Sequence, residues 1–312
     1  MIYLWIALGL FLFVMLAGLV IFRLASVPGK RATLMNMELL DTQIDNMLPI
    51  PVKEGFDFMR EHNPQELSMT SFDGTKLRGR WVPVENAKGT FLLLHGWTGC
   101  VERDFCCILS VYHAMGMNLL MIDQRGQNKS GGRYMTFGAK ESRDAVEWVK
   151  FHNEKFGPQP LIIDGISMGA SSALMAMGHD LPSNVRGVIA DSSFTSPWAI
   201  ICQVAKQSAH LPAFPFLYAA AFWCRLLGGY NPWKHTTVEA MKHSRLPVAM
   251  LHGKADNFVP YTMSVEAYEA YEGDKEILLV EGAGHGMSYL TDKARCTEAL
   301  GKFISRVLAG DA

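Results

Sequence analysis

No excess of either charge marks this 312-residue sequence: 29 Lys and Arg stand against 30 Asp and Glu, a formal net charge of −1. A nucleic-acid binder would usually carry a basic face, so the balance argues against that class. The six cysteines (Cys100, Cys106, Cys107, Cys202, Cys224 and Cys296) include no CxxC pair, and no paired His or Cys stands at zinc-ligand spacing. Most of the six lie in apolar stretches, as reduced, buried thiols do. Internal repeats and low-complexity tracts are lacking as well. Charge is missing altogether from residues 1–22.

Of those 22 residues, 20 are apolar, Gly9 and Gly18 being the exceptions. As a helix they reach roughly 33 Å, enough to cross a hydrocarbon core about 30 Å thick. A cleaved signal peptide would want a basic residue ahead of a shorter run and a small-x-small site after it. No basic residue precedes this run, Ala25-Ser26-Val27 is a poor cleavage site, and no Cys follows closely for lipid attachment. An uncleaved transmembrane anchor over 1–22 is therefore expected. Arg23, Lys30 and Arg31 follow it, which by the positive-inside rule puts the remainder in the cytoplasm. That remainder is about 46% apolar, ordinary for a globular body. Residues 23–50 read as a linker with a short amphipathic helix, ended by Pro49 and Pro51, and residues 51–312 as one domain.

Within it, Leu67–Phe72 and Lys76–Val82 flank Asp73-Gly74, a strong hairpin signal. Short apolar runs of buried-strand type follow: 91–94, 118–122, 161–163, 187–190, 248–251 and 277–280. Most are separated by enough chain for a crossover helix, such as Glu141–Phe156 with Ala145, Val149 and His152 on one face. The pattern predicts an α/β fold, a mostly parallel sheet with helices on both faces. Residues 195–243 break the rhythm with an aromatic, proline-containing stretch, read as a helical cap over one end of the sheet. Its aromatics are expected to pack mainly on one another, with the substrate pocket forming beneath the apolar cap.

The run 161–163 leads through Asp164 into Gly165-Ile166-Ser167-Met168-Gly169-Ala170 and then a helix-forming stretch, a G-x-S-x-G in strand–turn–helix context. A serine hydroxyl needs a base. His285 supplies the candidate, in the Gly-rich loop Gly282-Ala283-Gly284-His285-Gly286 after the last strand. An imidazole in that role needs a carboxylate behind it. Asp256 follows run 248–251, while Asp191 ends the preceding strand and satisfies chain order equally; the loop context favours Asp256. An oxyanion needs fixed N–H donors. The amide after the nucleophile, Met168, is one, and Trp97 in His95-Gly96-Trp97-Thr98-Gly99 is the other, with His95 orienting that loop.

These pieces, with Ser71-Phe72-Asp73-Gly74, Asp123-Gln124-Arg125-Gly126 and His252-Gly253, resemble a serine α/β-hydrolase of the BEM46-like and prolyl-oligopeptidase-like type across about residues 67–310. The resemblance implies an eight-stranded sheet, a variable cap, no metal or organic cofactor, and a structural role for the 123–132 loop in bracing the oxyanion side. Lys129 and Gly131-Gly132 there lack the G-x-x-x-x-G-K-[ST] and helix of a phosphate cradle. No room remains in the body for the propeller of true oligopeptidases. The expected protein is a membrane-anchored serine esterase for a hydrophobic acyl ester, lipid-derived or otherwise small. An amidase or peptidase on the same triad, or a silent membrane-tethered binding module, are the alternatives.

Overall fold

The structure is a computed structural model that describes residues 1–27, 51–209 and 212–310. Eight strands form one sheet: β1 (Gln65–Thr70), β2 (Lys76–Val82), β3 (Gly89–Leu94), β4 (Met117–Asp123), β5 (Leu161–Ile166), β6 (Val185–Asp191), β7 (Val248–Gly253) and β8 (Lys275–Val280). Their order is β1-β2-β4-β3-β5-β6-β7-β8. The β1–β2 and β2–β4 pairs are antiparallel and all the others parallel. Gly74 makes the first turn possible, at φ +82°, while the Ser71 N–H closes the hairpin on the Thr75 carbonyl at 2.8 Å.

Strands β3 to β7 carry nearly unbroken apolar runs because both faces are covered. The longer helices are α1 (Ile2–Ser26), α2 (Pro51–His62), α3 (Glu141–Phe156), α4 (Met168–Ala176), α5 (Pro197–Ala209), α6 (Ala213–Gly228), α7 (Thr237–Lys242), α8 (Thr262–Ala270) and α9 (Lys293–Ala309). One core lies between the sheet and α3, α4 and α8, around Trp148, Ala173 and Ala267. The other lies between the sheet and α2, the short helix Leu109–Ala114 and α9, around Phe58, Tyr112 and Phe303. The parallel strands thus open their carboxyl ends along one edge, where Asp191 ends β6 and the loops carry Trp97, Ser167, Asp256 and His285.

A third apolar cluster sits over that edge, and α1 belongs to it. Phe22, 1% exposed, packs with Phe137, Met168, Met175, Phe194 and Tyr230. The helix runs past Arg23 to Ser26, so residues 23–26, assigned to the linker by composition, are helical. Arg23 is exposed and can end an apolar run without ending the helix. The amphipathic helix expected within 23–50 falls outside the described residues beyond Val27.

The described part of 195–243 is mostly helical, and the Trp198 ring meets Tyr218 edge-on and Trp233 at a tilt, with centroids 5.2 and 4.8 Å apart. Their further packing differs from the expectation. The Trp223 indole donates to the Met15 carbonyl at 2.9 Å, and Phe13 meets Phe216 edge-on. The insertion therefore packs against α1 as well as on itself.

Candidate active site

Ser167 stands between β5 and α4 with φ +57° and ψ −116°, a backbone state that side chains other than glycine rarely adopt. The strain is held by packing. A side chain at Gly165 would collide with the Gly169 backbone, and one at Gly169 with the Leu94 carbonyl on β3. The Ser167 N–H donates to the Asp191 carbonyl at 2.8 Å, which ties the turn to β6.

The structure brings three of the sequence-predicted side chains into one line. Ser167 Oγ lies 2.8 Å from His285 Nε2, and His285 Nδ1 lies 2.7 Å from Asp256 Oδ2. A carboxylate only accepts, so Nδ1 carries the hydrogen and Nε2 is free to take one from the serine hydroxyl. The other oxygen of Asp256 accepts the Phe258 and Val259 N–H groups, both at 2.8 Å. Burial opposes its charge, but hydrogen bonds from His252 and His285, together with the charge His285 carries once protonated, hold this carboxyl well below the usual carboxylate range. Asp191 does not join the line. Its Oδ1 accepts from Ser192 Oγ at 3.0 Å and Ser288 Oγ at 2.9 Å, and burial pushes its carboxyl up.

His252 is a participant that the sequence reading passed over. It is fully buried, with Nε2 3.1 Å from Asp256 Oδ2 and 3.0 Å from the Val259 carbonyl. A carbonyl cannot donate, so this nitrogen carries a hydrogen and Asp256 receives a second imidazole N–H. The available signal was its place at the end of β7, four residues before Asp256.

The loop after β3 approaches the serine closely: a Cβ on Gly96 would sit 3.3 Å from Ser167 Cβ. It is braced by Asp104, whose Oδ2 accepts the Gly96 N–H at 2.7 Å. His95 donates from Nδ1 to the Gly96 carbonyl at 2.8 Å and accepts the Gln124 N–H on Nε2 at 3.1 Å, which requires a neutral ring. Burial lowers its pKa in the same sense. The amides of Trp97 and Met168 donate to no other described residue. Arg125, in the loop after β4, is buried between Asp144 and Asp73, its Nε 2.6 Å and Nη1 2.8 Å from their carboxylates. It is occupied as a brace, not open to a phosphate.

A cavity of about 700 Å³ opens beside Ser167 and His285. Trp97, Cys107, Ile108, Phe258, Met287 and Leu290 form much of its apolar wall. No described residue of 195–243 lines it, which corrects the expectation that the pocket forms under the cap. Its walls come from the stretches after β3, β7 and β8 and from the carboxyl ends of β5, β6 and β7. The cavity wall reaches α1 at Trp97, whose indole donates to the Ala25 carbonyl in the last turn of that helix at 2.9 Å.

Comparison with known proteins agrees with this architecture. A family model described as the alpha/beta hydrolase fold matches residues 89–212. The uncharacterized protein YqkD of Bacillus subtilis is 26% identical over 235 residues, covering 75% of this chain and 77% of that protein. A lysophosphatidylserine lipase, ABHD12 of Danio rerio, is 25% identical over 203 residues, 62% of this chain and 50% of that one. Among solved structures, the Pyrococcus furiosus esterase Pf2001 has TM-score 0.65 and 23% identity, covering 80% of this chain and 93% of the esterase. The Pyrococcus horikoshii acylaminoacyl peptidase has TM-score 0.59 and 16% identity, covering 78% of this chain and 41% of the peptidase. With an eight-stranded sheet in this order and a serine elbow between its fifth strand and the following helix, the chain has the α/β-hydrolase fold.

Proposed function

We propose that the protein is a membrane-anchored serine hydrolase that cleaves a carboxylic ester through an acyl-enzyme. The supporting observation is the hydrogen-bonded line Ser167–His285–Asp256 at an apolar cavity, with distances of 2.8 and 2.7 Å. Ser167 Oγ attacks the carbonyl carbon while His285 Nε2 takes its proton. Asp256 holds the Nδ1 hydrogen and stabilises the imidazolium. The Met168 and Trp97 amides receive the oxyanion, and α4 begins at Met168, which adds the positive end of a helix dipole. His285 then protonates the leaving alcohol, and water, activated by the same imidazole, deacylates Ser167.

Residues 1–22 form the anchor in this reading and residues 51–312 the catalytic domain, on the cytoplasmic side by the charges of Arg23, Lys30 and Arg31. A hydrophobic acyl chain, lipid-derived, suits the cavity's apolar wall. The cavity also meets the foot of α1 through Trp97, and one relative carries a lipase name. An amide substrate on the same three residues is the competing reading, carried by the likeness to an acylaminoacyl peptidase.

Labelling with a fluorophosphonate probe tests the chemistry: wild type should label and Ser167→Ala should not. Equal labelling of both, or none of wild type, would refute it. Matched ester and amide series of increasing acyl length then separate the substrate readings. Preference for acetyl over long chains would overturn the hydrophobic assignment, and faster amide cleavage the ester one.

A further inference from the structure

Helix α1 is 25 residues long, with mean hydropathy 2.8 in its most apolar window and almost none of that window buried. A span needs about 20 residues to cross roughly 30 Å of hydrocarbon. The twelve residues before Phe13 amount to roughly 18 Å of helix, short of that span. Phe13, Met15 and Gly18 touch Phe216, Trp223 and the Ala219–Ala220 backbone, and Phe22 lies against Gly228. If α1 crosses a bilayer, its contact with α6 falls inside the hydrocarbon.

The composition of α6 suits that place. From Ala213 to Gly228 the one charge is Arg225, at the end beside Phe22. Facing away from α1 are Phe214, Tyr218, Phe222 and Leu226, 73, 51, 48 and 61% exposed; the last three recur every fourth residue along one helical face. Where the two backbones come closest the residues are small. A Cβ on Gly18 would meet Ala219 Cβ at 2.5 Å and the Ala220 nitrogen at 2.7 Å, the close backbone approach by which helices associate in lipid. An outer stripe of this kind would be an aggregation hazard in water, and α1 continues it with exposed Leu12, Leu16 and Val20.

We propose that α6 enters the hydrocarbon of the bilayer alongside α1, so that a two-helix apolar wedge, and not a single span, holds the enzyme. The occupant of the exposed α6 face is the acyl-chain region of phospholipid. The inference rests on the membrane reading of α1 given above. It places the cap in the membrane, where it packs the anchor and lies apart from the cavity wall.

The test uses the full chain in phosphatidylcholine vesicles containing a phosphatidylcholine with a diazirine on its acyl chain. After photolysis, adducts are mapped by mass spectrometry. Adducts are expected on 213–228 as well as on α1, with Phe214, Tyr218, Phe222 and Leu226 carrying most of the former. Adducts confined to α1 would overturn the inference and leave the anchor standing; adducts on neither segment would remove the anchor reading too. Phe222→Asp should reduce the 213–228 adducts by about tenfold, because a carboxylate resists burial in hydrocarbon. Its hydrolysis of a water-soluble ester should stay at the wild-type rate. An unchanged adduct yield in a folded, active variant would also overturn the inference.

Discussion

Replacing Asp256 by Asn changes one atom that the hydrogen-bond pattern can locate. Oδ1 is committed to the Phe258 and Val259 N–H groups, both 2.8 Å away, so the Asn oxygen stays there and the amide nitrogen faces His285 and His252. An NH2 group offers only donors. His285 Nδ1 must then accept, its hydrogen moves to Nε2, and Nε2 points a hydrogen at Ser167 Oγ where it should take one. The His252 Nε2–H, which also reaches the Val259 carbonyl, is left facing a second donor. The fold is largely preserved while the base is switched off. Triads with this change lose about 10⁴-fold in turnover, about 5.4 kcal/mol of barrier. Asp191→Asn is the control, because Asp191 is bonded to Ser192 and Ser288 and should cost less than about tenfold once folding is matched. Steady-state hydrolysis of an activated ester and the rate of fluorophosphonate labelling both report the effect, with circular dichroism to check folding. If Asp256→Asn kept more than about a tenth of wild-type activity, or Asp191→Asn lost about 10³-fold, the tautomer reasoning would fall.

Three further outcomes follow from the packing. Phe22→Ala should destabilise the protein by about 3–5 kcal/mol, since Phe22 is 1% exposed against Met168 and Phe194, whereas Leu4→Ala on the exposed part of α1 should do little. At about 2–4 °C per kcal/mol, thermal unfolding in detergent should shift down by at least about 6 °C, and equal midpoints for the two variants would mean that α1 is a loose tether. His252→Ala should lower kcat/KM by roughly 10- to 100-fold by removing an N–H from a charged carboxylate; a change under about twofold would make its contact incidental. The fully buried Asp164 has its carboxyl pushed up to about 8 by burial, partly opposed by the Tyr112 hydroxyl at 2.7 Å. Between an ordinary Asp value of about 3.9 and that value the folded state holds a proton that the unfolded chain has released. Stability contributed at Asp164 is therefore lost as pH rises through this window. Asp164→Asn cannot titrate and keeps an acceptor for Tyr112, so its unfolding midpoint should gain on wild type from about pH 4 to about pH 8. A constant difference across that range would contradict the assignment.

Much of the fold was open to local reading because its causes are local. Buried parallel strands need apolar runs, and the hairpin needs Gly74 at positive φ. The elbow at Ser167 needs glycine two residues away on either side. What could not be read were relations between segments far apart in the chain. Asp191 and Asp256 both end strands at the same edge, and only the backbone path of residues 253–259 aims one of them at His285. His252 had no visible partner until that loop folded back over it. Composition ended the apolar segment at Arg23, yet one exposed charge does not stop a helix, and Ala25 goes on to hold the Trp97 indole.

By itself the sequence determined an α/β sheet, a serine elbow, and an apolar N-terminal segment long enough to cross a membrane, because chain length, periodicity and turn chemistry act over a few residues. Only the tertiary structure decided what each far-apart piece faces. It put the insertion against α1 and left the cavity to loops after β3, β7 and β8 and the strand ends between them, since apolar faces pair with whichever surface the strand order brings opposite them.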